Sequence, residues 1–137
     1  TAEALSTGYI YFWGYDSQWR PVLWCHPDRI PWRLDPDTLL NVFITLLEMQ
    51  LRLMPPDVST FVYIENTLKV AERLKTLKGD DKPTLQKAVS CITQGAKMMT
   101  KGYPERLAAC HVIPAMMANR IVLKCVKPFL PVSLPEK

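Results

Sequence analysis

The chain has 137 residues, 48% hydrophobic and 22% charged, with a formal net charge of +4. This length predicts one soluble domain with a buried core; no run approaches the roughly 18 apolar residues of a membrane span, and the polar start Thr1-Ala2-Glu3 shows no signal peptide. Four cysteines without a C-x-x-C pair, beside only two histidines, argue against a zinc site and against a disulfide framework.

Cys25, Cys91, Cys110 and Cys125 each lie in an apolar stretch. They read as unpaired, reduced thiols that pack as small hydrophobes, which places the chain in the cytoplasm. Charge is uneven. Residues 1–68 carry four basic and eight acidic side chains, a net of −4, and residues 69–137 carry thirteen and five, a net of +8. A basic half of this kind suits solvated helix exteriors first and peripheral contact with an anionic membrane second. No Arg-rich cluster or aromatic–basic motif points to nucleic acid.

In chain order, the aromatic and β-branched run 9–13 between Gly8 and Gly14 predicts a strand. A polar turn follows. Pro21 then opens a second strand over 22–25, so the pair forms a hairpin at a sheet edge. His26 stands among prolines and reads as a loop residue with no catalytic partner. Asp35-Pro36-Asp37 starts a helix through an N-cap acid, a proline at the first helical position and a second acid. The helix spans 36–54 and stops at Pro55-Pro56. Its only polar stripe is Asn41, Thr45, Glu48 and Arg52, with Glu48 and Arg52 spaced to pair. The rest is so apolar that the helix must be covered on several sides.

The run 61–64 predicts a buried parallel strand, ended by Glu65. A helical pattern follows, with Leu68, Ala71, Leu74 and Leu77 on one face. Another starts at Lys82-Pro83-Thr84 and ends near Lys101, with Leu85, Ala88, Val89, Ile92, Ala96 and Met99 sharing a face. A strand over 109–113 and a helix over 118–126 complete the pattern, which predicts an α/β fold with a small mixed sheet and flanking helices. Catalysis is not expected: there is no G-x-S-x-G, P-loop or G-x-G-x-x-G, and hence no cofactor motif. Cys110 and His111 are neighbours on a predicted strand and point to opposite faces, so they form no couple.

Two motifs stand in order near the C-terminal end: Tyr103-Pro104-Glu105-Arg106-Leu107, and Lys127-Pro128-Phe129-Leu130. The hairpin adds Gly14, Asp16, Arg20, Pro21 and Val22, with Trp19 where the pattern has glycine. Together these resemble the CRAL-TRIO domain of phosphatidylinositol and tocopherol transfer proteins. The resemblance covers nearly the whole chain, 1–137, as a single domain without the family's N-terminal helical subdomain and C-terminal gate region. It implies binding, and transfer, of a lipid such as a phospholipid or phosphoinositide in a cavity between sheet and helices. Residues placed to line that cavity are Tyr11, Trp13, Leu23, Leu40, Phe43, Leu47, Phe61, Tyr63, Val112, Met116, Met117 and Ile121. The family's inositol phosphate site falls on Glu105 and Lys137, although Leu134 stands where a threonine is expected. For Glu105 itself a structural role in its loop is preferred. The alternative expectation is a protein-docking or structural module without lipid, its helix 36–54 covered by a partner.

Overall fold

A computed structural model describes residues 2–114. Among these residues four strands form one sheet in the order β1-β2-β3-β4: β1 (Ile10–Tyr15), β2 (Pro21–Cys25), β3 (Phe61–Asn66) and β4 (Leu107–Ile113). The hairpin β1–β2 is antiparallel, whereas β2–β3 and β3–β4 are parallel. Parallel neighbours need crossovers, and helices supply them. Between β2 and β3 runs α2 (Pro36–Leu53); between β3 and β4 run α3 (Val70–Thr76) and α4 (Leu85–Gly102). The sheet is therefore mixed and the fold α/β, as the apolar runs predict. A short helix, α1 (Ala2–Ser6), precedes the sheet and buries Ala4. The helix expected over 118–126 lies outside the described residues.

Local chemistry sets the boundaries. Asp35 caps α2 by accepting from the Thr38 amide at 2.8 Å, with Pro36 at the first helical position. Thr84 caps α4 in the same way through the Lys87 amide at 3.1 Å, and the Lys87 ammonium donates to the Trp32 carbonyl, tying the first turn of α4 to the loop before α2. In the hairpin β1 carries one residue more than β2 between the pairs Phe12–Leu23 and Tyr15–Pro21. This is a bulge at Gly14, whose φ of 77° suits glycine. Asp16 gathers the turn, accepting from the amides of Gln18 and Arg20 and from the Arg20 guanidinium. Trp19 adopts φ 60°, the left-handed conformation that a glycine would hold at less cost.

One face of the sheet builds the core. Ile10, Leu23 and Phe61 pack with Leu39, Val42 and Leu47 of α2 and Met99 of α4. The polar stripe of α2 is exposed as expected. Glu48 does not pair with Arg52, however. Its carboxylate accepts from the Tyr103 hydroxyl, which joins α2 to the end of α4. The apolar outer positions Met49 and Leu53 are 56% and 70% exposed. Cys25, Cys91 and Cys110 are free thiols, as anticipated; Cys125 lies outside the described residues.

Gly95 stands in the middle of the continuous helix α4, and a β-carbon built there meets nothing within 4 Å. Mid-helix glycine costs roughly 0.5–1 kcal/mol relative to alanine. Gly95→Ala is thus expected to raise stability by about that amount, read as a higher urea midpoint at unchanged m-value.

Candidate functional site

Strand parity and register place Ile10, Phe12, Leu23, Cys25, Phe61, Tyr63, Glu65, Cys110 and Val112 on the helix-covered face. Toward the β2–β4 side this face does not close against the helices. A cavity of about 580 Å³ lies between them. Its floor includes Cys25, Phe61, Tyr63, Glu65, Cys110 and Val112. The walls come from α2 through Leu39, Leu40 and Phe43, from α3 through Leu74 and Leu77, and from α4 through Ala88, Ile92, Ala96 and Met99. Trp32 and Ile30, in the segment between β2 and α2, close one side. Leu85 also lines the cavity yet is 82% exposed, so the cavity reaches the surface at the first turn of α4.

The lining set expected from sequence divides. Leu40, Phe43, Phe61, Tyr63 and Val112 do line the cavity. Leu23 and Leu47 are fully buried core beside it. Tyr11 and Trp13 lie on the other face of the sheet, because their neighbours Ile10 and Phe12 point to the core. Trp13 is 75% exposed there. Tyr11 stacks on His26 with ring centroids 5.5 Å apart, and its hydroxyl bonds His26 Nε2 at 2.8 Å, so His26 has a partner, though a structural one. Met116, Met117, Ile121 and Lys137 lie outside the described residues. Glu105 sits exposed in the turn between α4 and β4 with φ 59°, away from the cavity lining, and no described side chain or amide bonds its carboxylate. Sequence reasoning did not assign α3, α4, Trp32, the cysteines or Glu65 to the site. The apolar faces of α3 and α4 were the available signal.

Three charged residues are found in the described lining: Asp28, Glu65 and Arg73. Arg73 is exposed. Glu65 is held inside the sheet, level with Cys25 on β2 and Val112 on β4. The Tyr63 hydroxyl donates to its Oε2 at a long 3.4 Å. Burial pushes the Glu65 carboxyl above its ordinary value, an effect that the Tyr63 bond only partly offsets. Burial, with the nearby Glu65 charge, also pushes the Cys25 and Cys110 thiols up to about 12, so both stay protonated. Tyr63 is likewise held well above its ordinary value by burial. Tyr9 is already satisfied, donating to the Leu39 carbonyl at 3.0 Å. Among the described residues no cluster of His, Cys, Asp and Glu can hold a metal ion. Cys110 and His111 do point to opposite faces.

An apolar cavity between a sheet and its helices, with few polar groups, is the architecture of a binding module for lipophilic molecules. The chain matches the family model of the CRAL/TRIO domain over residues 5–137, and it belongs to that family of lipid-binding domains. No curated protein matches the chain.

Proposed function

We propose that the chain takes up one lipophilic molecule at a time from a membrane, holds it in the cavity above β2–β4, and carries it through water. The observation that supports this most is the continuous 580 Å³ apolar cavity that opens beside Leu85. A cavity of about 150 Å³ holds one benzene ring. On that scale 580 Å³ accommodates roughly four rings' worth of carbon, on the order of 20–25 heavy atoms. That is room for one acyl chain or one fused-ring lipophile inside the cavity. In water each buried CH₂ contributes about 0.8 kcal/mol, which keeps the cargo bound during transit. At a bilayer the same term nearly cancels, because one apolar medium replaces another, so uptake and release stay reversible. Peripheral contact with an anionic bilayer is supported by the exposed Leu85 between Lys82 and Lys87. No described helix is long and apolar enough to cross a membrane.

The second reading, a protein-docking module without lipid, is supported by the exposed Met49 and Leu53 on α2. Native mass spectrometry of the protein purified from cells separates the two. A co-purifying lipophile is expected, and Ala88→Trp, which puts an indole into the cavity wall, is expected to lower its occupancy by at least about tenfold while the fold is kept. A chain that carries no lipid and takes none up from vesicles would overturn the proposal in favour of docking.

A further inference from the structure

Two acids stand in the described lining, Asp28 and Glu65, both partly buried, and of the two only Glu65 belongs to the sheet floor. Glu65 follows Phe61 and Tyr63 at two-residue steps on β3, so all three side chains project from one face into the same cavity. Cys25 and Val112 flank it in register, neither able to neutralise a carboxylate. Among the described residues its one hydrogen bond is the long contact from Tyr63, and no ion pair reaches it. Glu65 is partly buried, and no enclosed side-chain oxygen or nitrogen among the described residues lacks a partner, yet a carboxyl group has more bonding capacity than one weak donor uses. The remaining capacity points into the space that the cargo fills.

We propose that Glu65, assisted by Tyr63, is the polar anchor of this cavity and that the cargo is an uncharged lipophile ending in a hydroxyl group. This rests on the lipid-binding reading above and narrows it. A hydroxyl both donates and accepts, so it pairs with the carboxyl in either protonation state. A carboxylate or phosphate terminus would meet Glu65 as a like charge in a low-dielectric site. The sole basic lining residue described, Arg73, is exposed and belongs to α3 rather than to the floor. The apolar remainder of the cargo would occupy the space between α2, α3 and α4.

The test uses the full chain with radiolabelled hexadecanol, palmitate or hexadecane presented in phosphatidylcholine vesicles, with protein-bound label counted after the vesicles are removed. Wild type is expected to take up hexadecanol about tenfold better than palmitate, the scale of one satisfied buried hydrogen bond. Glu65→Leu should lose about tenfold in hexadecanol uptake while keeping hexadecane uptake. Glu65→Gln, whose amide also donates and accepts, should keep hexadecanol within about threefold and admit more palmitate. Thermal melts establish that both variants fold. Equal uptake of all three probes by wild type, or an unchanged alcohol preference in Glu65→Leu, overturns the anchor and leaves lipid binding standing. No uptake of any probe overturns both.

Discussion

Phe61→Ala should cost about 3–5 kcal/mol of folding stability, the range for deleting a buried aromatic side chain. Phe61 is 1% exposed and is the bulkiest fully buried side chain among the described residues. It opens β3, where its amide donates to the Arg106 carbonyl at 2.9 Å and so sets the start of the β3–β4 pairing. Its ring meets that of Phe12 edge to face, with centroids 6.0 Å apart, linking the centre of the sheet to the edge hairpin. It also forms one end of the cavity floor. Truncation would merge a new void with the existing cavity, leaving neighbours nothing to relax against. Measured against a typical stability of about 5–15 kcal/mol, this loss brings the domain near unfolding. Urea denaturation followed by tryptophan fluorescence checks it, and a loss under about 1 kcal/mol would show that the β1–β3 contact does not depend on this ring.

The sheet was legible because all four strands are short apolar runs between turn signals, and because Asp35-Pro36 marks a helix start in any context. Alpha-helix α1 was not legible: five residues are too few for a period to show. Periodicity also identified the apolar faces of α3 and α4 without saying what they face, so Leu74, Leu77 and Ile92 were not assigned to a cavity wall. Tyr11 and Trp13 were misplaced for a different reason. Parity in a hairpin depends on register, and the register here is fixed by Phe12 opposite Leu23 and by the bulge at Gly14. An isolated aromatic run does not show which alternate residues point inward. Glu65 carried a usable signal. If Phe61 and Tyr63 line a cavity, strand alternation puts Glu65 there too. Its position at the end of the run made it look like a boundary residue.

Glu65→Gln is expected to stabilise the protein at neutral and alkaline pH, although it removes a charge and weakens a hydrogen bond. The Glu65 carboxyl is pushed above its ordinary value of 4.5 by burial. Over the interval between that value and the raised one, the folded chain binds its proton more tightly than the unfolded chain does. Stability contributed by this group is therefore fully present below about pH 4.5 and is lost as pH rises through the interval. Above it, the folded protein carries an ionised carboxylate facing Tyr63 on β3, Cys25 on β2 and Cys110 on β4, with Asp28 and the exposed Arg73 farther around the same cavity. Cys25, Cys110 and Tyr63 stay protonated and therefore neutral, so none of them adds to or offsets that negative charge. Glutamine keeps the shape and the Tyr63 contact and has no proton to lose. The variant should gain on the order of 1–3 kcal/mol at about pH 8, the scale of one inadequately paired buried group, and little or nothing at about pH 4. Paired urea melts at the two pH values decide it. A variant less stable than wild type at about pH 8, or a difference that does not change with pH, would mean that Glu65 is adequately solvated or paired when charged. The polar end of the cargo would then have to be sought elsewhere in the cavity.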